Sequence, residues 1–455
     1  MSQFNRPLKA VSFAAIASAV LALSACGGGD DSPYKTLDGS QPQVIAHRGY
    51  SGMYPEQTRM AYEKAADAGA DMLELDMHMT RDCQLVARHN AWLGDNTNVA
   101  DVAKTNAEVA KRKRTTPGVK VNVKYPAIAS NGPAQYLSDQ LDPNDPKSVL
   151  KALIVDGEDH TNDWSISDFT MDELRTWIGG KILDNAADRP TDLNGKLPLI
   201  SVQDVIDIAS AKSKSLGRKI SVYAETKNPY WNNQQAIANG CGKPGSSPFE
   251  DAVLALLEKN KLNTKDSAIF LQSFDPASLK YMRKAGLKAK AVQLVDGNDI
   301  NYKDGSMGYI TTDEWTFISG RPYSWTLAGD ARTFGVMLTT AGLAEIKTYA
   351  DGIGPWKPEV VAHSVVPYKD GAGLKDVNTL KDTGLIDAAH KAGLIVHSFT
   401  FRNEAGRLAG IYKGDPVAEY LTYYRLGIDG VFTDFTPTGL KARDAYKKEL
   451  GVVVF

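Results

Sequence analysis

Two histidines, three carboxylates and two cations recur at points along the chain where short apolar runs end. The run Val44–His47 closes as Ala46-His47-Arg48-Gly49, and Met72–Met77 carries Glu74 and Asp76. Side chains two apart on a strand share a face, so Glu74 and Asp76 point one way and Leu73, Leu75 and Met77 the other. A third run ends Tyr223-Ala224-Glu225-Thr226-Lys227, and the return segment Leu85-Val86-Ala87-Arg88-His89 brings a second histidine to the same rim. Carboxylates on the inner face of a buried strand are costly unless something positive holds them. All-oxygen ligation suits a hard divalent cation, Mg²⁺ or Ca²⁺. Histidines exchange protons near neutral pH. The set matches phosphoryl chemistry at an anionic diester: metal and cations neutralise the phosphate, one histidine deprotonates the nucleophile, and the other protonates the leaving oxygen. Taken singly, each group reads equally well as a structural histidine or a salt bridge. Their joint appearance at the ends of three successive strands points to chemistry.

The elements that must position these groups repeat one unit: apolar strand, loop, amphipathic helix. Strands are expected at Val44–His47, Met72–Met77, Ile220–Glu225, Ala268–Phe274, Lys290–Val295, Asp351–Pro355, Leu394–Phe399 and Gly430–Phe435. Asp275-Pro276 and Asp415-Pro416 put a capping acceptor before a first-turn proline, and Gly69, Gly286, Gly393 and Gly427 stop helices before strands. Strands alternating with helices indicate a parallel sheet. Eight units close into an α/β TIM (β/α)₈ barrel, with catalysis expected at the carboxyl ends of the strands. An open doubly wound sheet would carry a Gly-rich loop after its first strand, and none is present. Residues 106–163 and 296–341 break the repeat and read as long insertions after strands two and five. The basic run Lys111–Arg114 in the first reads as a solvated face, with anionic lipid as the sharper alternative.

The N-terminus has basic Arg6 and Lys9, an apolar run from Ala10 to Ala22, then Leu23-Ser24-Ala25-Cys26. That run is too short to span a bilayer and reads as an export signal over residues 1–25. Leu-Ser-Ala-Cys resembles a bacterial lipobox, which implies lipidation at Cys26 and a stable membrane anchor. Gly27 after it fits an outer-membrane address facing the periplasm. Residues 26–42 then form a flexible tether, and 43–455 the barrel domain. Formal charge −2 and a pI near 6.4 give no sign of nucleic acid as a partner. Cys83 and Cys241 are either a disulfide or two free thiols.

At the level of motifs, Ile45-Ala46-His47-Arg48-Gly49, Tyr54-Pro55-Glu56-Gln57-Thr58, Gly69–Asp76 and Leu85–His89 resemble the glycerophosphodiester phosphodiesterase family. Ala224-Glu225-Thr226-Lys227, Leu271–Asp275, Ala350–Pro355 and Val431–Phe435 extend the resemblance, closest to the bacterial periplasmic branch. The resemblance implies a TIM barrel with His47 and His89 as acid–base pair, Glu74, Asp76 and Glu225 as metal ligands, and Arg48 and Lys227 holding phosphate. It implies attack by the glycerol 2-hydroxyl to give a cyclic phosphate, then hydrolysis to glycerol 3-phosphate. It favours Ca²⁺ over Mg²⁺. The family commonly has Asp where Asn90 follows His89, and Pro-Glu-Asn-Thr where this chain has Pro-Glu-Gln-Thr. Gln272 and His397 are further pocket candidates; His78 reads as structural. Competing expectations are a same-fold phosphodiesterase acting on lysophospholipids and a surface lipoprotein that retains the barrel as a binding module.

Overall fold

The computed structural model describes residues 32–453 apart from 115–153, 156–157, 160–161, 183–187, 298, 302–305, 310–319 and 366–376. The stretch expected to be an export signal, with Cys26, lies outside the described residues. Eight parallel strands form the barrel: β1 (Gln43–Ala46), β2 (Met72–Met79), β3 (Ser221–Thr226), β4 (Ile269–Ser273), β5 (Lys290–Val295), β6 (Gly352–Pro355), β7 (Ile395–Phe401) and β8 (Gly430–Thr433). Each pairs with its sequence neighbour, and β1 pairs with both β2 and β8, which closes the ring. The eight expected strands are all present, displaced at their ends by a few residues at most.

Helix signals act as their chemistry dictates. Asp275 and Asp415 accept from the backbone of Ala277 and Val417, two residues on, behind prolines that need no such partner. Gly69 and Gly427 end their helices at φ 112° and 96°, where a side chain would be strained. The alternation on β2 is as expected: Leu73, Leu75 and Met77 pack outward under the helices. Inside the barrel, Ile45, Met72, Tyr223, Phe270, Val292 and Phe432 form an apolar floor. Two residues further along the same strands stand Glu74, Glu225 and Gln272, so the pleat alone stacks a polar layer on an apolar one.

The insertion between β2 and β3 is larger than its broken repeat suggested. Its described parts gather Leu93, Val99, Trp164, Phe169 and Leu174 into a small core of their own. The basic run belongs to that packing. Arg112 forks onto Glu173 at 2.7 Å twice and lies over Phe169, while Arg114 pairs with Asp168 at 2.7 Å and lies over Trp92. Two of its four cations are therefore structural and not free for lipid. After β6 an antiparallel hairpin, Val361–Val365 with Val377–Asp382, interrupts the repeat where no insertion was expected. The stretch read as tether is docked from residue 32 onward: Tyr34 packs on Tyr446, and Asp429 at the foot of β8 accepts from Leu37 N at 2.7 Å.

Cys83 and Cys241 form a disulfide across 158 residues, with Cα atoms 5.6 Å apart. It ties the first turn of the insertion to the segment after the helix Pro229–Ala238. Closing so long a loop restricts the unfolded chain strongly, so Cys241→Ser is expected to lower stability by about 2–5 kcal/mol. An unchanged midpoint of denaturant unfolding would contradict this.

Candidate active site

The turn after β1 sets the first histidine. Arg48 (φ 59°) and Gly49 (φ 81°) both adopt left-handed backbone, and a Cβ on Gly49 would come within 2.7 Å of the Ala61 backbone. This reversal aims Arg48 N at Glu74 Oε2, 2.7 Å away, and carries the His47 ring to the carboxyl rim of the barrel. His47 Nδ1 lies 2.6 Å from Asp434 Oδ1, just past the end of β8. Asp434 also takes Arg189 at 2.6 Å and Arg402 at 3.0 Å through its other oxygen. Burial alone would raise the Asp434 carboxyl, but Arg402, His47 and Arg189 hold it well below the usual carboxylate range. It is a fixed anion behind His47, leaving Nε2 as the nitrogen available to substrate.

His89 is supported differently. Its Nδ1 is 2.5 Å from Asn90 Oδ1, and Asn90 Nδ2 donates to Asp95 Oδ2 at 2.5 Å. The amide orients the ring and passes the contact on to a carboxylate five residues later, so the charge missing at position 90 stands one side chain away. Burial, Arg48 and Lys227 together push the His89 pKa well down. Burial and Arg48 lower His47 as well, opposed by Asp434. His78 closes the arrangement from below: its ring lies 3.1 Å from His89 O and 3.0 Å from Asn232 Nδ2, a bracing role.

Carboxylate oxygens of Glu74, Asp76 and Glu225 lie within 4.8 Å of one another, all buried. Burial and the neighbouring Asp76 raise Glu74 well above its ordinary range, and burial raises Glu225 to about 8 against the pull of Lys227. Asp76 is the exception. Burial would raise it, but Lys227 and Arg48 hold it down. Gln57 fixes it by donating to Oδ2 at 2.6 Å and accepting from its backbone N at 3.1 Å. Gln272 donates to Glu74 at 3.2 Å and leaves its own Oε1 buried without a hydrogen-bond partner among the described residues. Three clustered carboxylates with an orphaned amide oxygen beside them form an all-oxygen set short of positive charge, which fits a hard divalent cation.

His47, Arg48, Glu74, His89, Glu225, Lys227 and Gln272 line one cavity of about 220 Å³. Arg48 is held by Glu56 at 2.9 Å and Asp76 at 3.4 Å; Lys227 by Glu225 at 3.0 Å. His397 lies elsewhere. It sits two residues before Phe399 on β7 and so one layer deeper, its Nδ1 3.1 Å from the Tyr223 hydroxyl and its ring beside Phe270. The pleat that lifts Phe399 into the cavity sinks His397 into the floor. Asp434, Arg189, Arg402 and Asp296 were not picked out by sequence reasoning. Asp434 had a signal, an acid directly after a strand end. Arg189 had none, because only folding of the insertion brings it across to Asp434.

The chain matches the glycerophosphoryl diester phosphodiesterase family over residues 47–438. It is 30% identical over 406 residues to the glycerophosphodiester phosphodiesterase GDPD6 of Arabidopsis thaliana, covering 88% of this chain and 86% of that protein. It is 25% identical over 443 residues to the glycerophosphodiester phosphodiesterase of Haemophilus influenzae, covering 95% and 98%. In fold it is similar to a solved structure from Silicibacter pomeroyi DSS-3, provisionally named a glycerophosphoryl diester phosphodiesterase, with TM-score 0.50, 16% identity, and coverage of 93% and 100%. With a closed eight-stranded barrel and this match spanning its histidines and its acidic cluster, the chain belongs to the glycerophosphoryl diester phosphodiesterase family.

Proposed function

We propose that this protein hydrolyses glycerophosphodiesters to glycerol 3-phosphate and an alcohol, with His47 and His89 as the proton carriers. The observation that carries this reading is the placement of two differently supported histidines on one small cavity, with a buried acidic cluster and the cations Arg48, Lys227 and Arg402 around it. Glu74, Asp76 and Glu225 would hold a divalent metal, Ca²⁺ in preference to Mg²⁺. When bound, that ion supplies charge neutralisation at the phosphate. Arg48 and Lys227 bind the phosphate oxygens, each kept in place by its carboxylate partners. His47, backed by the Asp434 anion, accepts the proton of the attacking glycerol 2-hydroxyl at Nε2. His89, which the negative charge of the bound phosphate favours in its protonated form, delivers a proton to the departing alcohol, and the roles reverse as water opens the cyclic phosphate. Purified protein is expected to release glycerol 3-phosphate from glycerophosphocholine; absence of release with the metal supplied would sink the proposal.

A lipid anchor at Cys26 and an outer-membrane, periplasm-facing address remain part of the proposed reading. Ser32 Oγ donates to Gly39 O at 2.6 Å, and Leu37 N between them donates to Asp429 at the foot of β8, opposite the carboxyl ends of the strands. Six residues reach about 20 Å at most, so an anchor at Cys26 would hold the barrel foot towards the bilayer and turn the cavity away from it. This supports soluble diesters over lysophospholipids as substrates. Wild-type protein is expected to partition with membranes, and Cys26→Ser to appear in the soluble fraction; equal partitioning would refute the anchor.

A further inference from the structure

The catalytic cavity does not end at Arg402. A second chamber of about 320 Å³ shares Asp296, Phe399, Thr400 and Arg402 with it and continues outward over the loops after β5, β6 and β7. This size is at the low end for small-molecule sites, which run from about 300 to 1,000 Å³. The proposed phosphate-binding and proton-carrying groups, with Glu74 and Glu225, line the inner cavity, so a group in the outer one stands apart from the reacting atoms.

The walls of the chamber specify its occupant. His363 is 5% exposed, and its Nε2 has no hydrogen-bond partner among the described residues. Glu419, fully buried, spends one oxygen on Lys357 at 2.8 Å and leaves Oε2 without a hydrogen-bond partner among the described residues. Unsatisfied buried polar atoms are costly, and two of them on one chamber imply a polar ligand that completes them. Burial and Lys357 keep the His363 pKa down at about 4, so its ring is neutral and can donate or accept. The charges do not favour a cation. Lys357 neutralises Glu419, Arg402 shares Asp434 with Arg189, and exposed Arg407 at the rim offsets Asp296 at the junction with the inner cavity, so no net negative charge is left on the walls. Trp356 and Phe399 supply flat apolar surface for the C–H faces of a small ring or carbon chain.

Resting on the proposed diester hydrolysis, we propose that this chamber is the subsite for the leaving alcohol and prefers an uncharged polyol to a cationic amine. His363 and Glu419 hydrogen-bond the hydroxyls of the head group, and Arg402 and Arg407 disfavour a quaternary ammonium group.

The test compares kcat/KM for glycerophosphoinositol and glycerophosphocholine on the metal-supplied enzyme, using glycerol 3-phosphate release as the common readout. The inositol diester is expected to be favoured by about tenfold or more, the worth of one or two hydrogen bonds. His363→Leu should remove most of that preference by slowing the inositol diester, while His363→Asn retains part of it. Arg407→Glu, at an exposed position that spares folding, should speed the choline diester and shrink the ratio. Equal or choline-favouring rates in wild type overturn the proposal, as does a ratio unmoved by Arg407→Glu. Failure to cleave either diester overturns instead the hydrolytic reading on which the subsite rests.

Discussion

His47→Ala and His89→Ala are each expected to lower the turnover of glycerophosphocholine by about a hundredfold or more, the usual worth of a positioned general acid or base. The two histidines differ in what stands behind them, and that difference is testable. Asp434 is a buried anion shared by His47, Arg189 and Arg402, so Asp434→Asn removes the charge behind His47 and leaves two guanidinium groups undercompensated. An outer partner of this kind typically contributes about 10–100-fold. Asp95 is exposed and reaches His89 only through the Asn90 amide, so water screens its charge. Asp95→Asn is therefore expected to cost much less than Asp434→Asn, with kcat measured at saturating substrate. Equal losses would mean that Asn90 transmits the Asp95 charge as well as a direct carboxylate would. Wild-type turnover in both histidine variants would remove the pair from the reaction altogether.

Chelation should abolish activity and also change how stability depends on pH. In the metal-free protein Glu225 is raised from 4.5 to about 8, mainly by burial, and Glu74 is raised as well by burial and Asp76. A folded-state pKa above the unfolded value means that the folded protein binds protons the unfolded chain releases. The metal-free fold is then fully stabilised below about pH 4.5 at these groups and loses that contribution as pH rises towards 8. A divalent cation replaces those protons. The rise in Tm on adding Ca²⁺ is expected to be larger at pH 8 than at pH 5, as read by thermal melts of chelated and reloaded protein. Glu225→Gln should lower activity by at least about a hundredfold and weaken the metal response. A pH-independent metal response would show that the three carboxylates are not the ion's site.

Much of this centre is written locally in the chain. The period of two on β2 places Glu74 and Asp76 inward and Leu73, Leu75 and Met77 outward, and no long-range information is needed for that. Strand ends marked by His47, Glu225 and Lys227, and helix boundaries marked by Asp-Pro and Gly, fix a (β/α)₈ ring because each signal acts within a few residues. The same rule, applied to β7, separates Phe399 from His397: a polar residue near a strand end reaches the cavity only if its layer does, and layer depth depends on how eight strands stagger.

What the sequence determined by itself was therefore which residues gather at the inner cavity, two histidines, carboxylates and cations among them, and the barrel that brings them there. Tertiary structure decided what surrounds and tunes them. Arg189 meets Asp434 across 245 residues, Cys83 meets Cys241 across 158, and the outer chamber is walled by loops that follow three different strands. These contacts carry no local pattern, because they depend on where an irregular insertion folds back and not on any periodicity along it. Strand periodicity determines which way a side chain points; only the closed barrel and its insertions decide what it meets there.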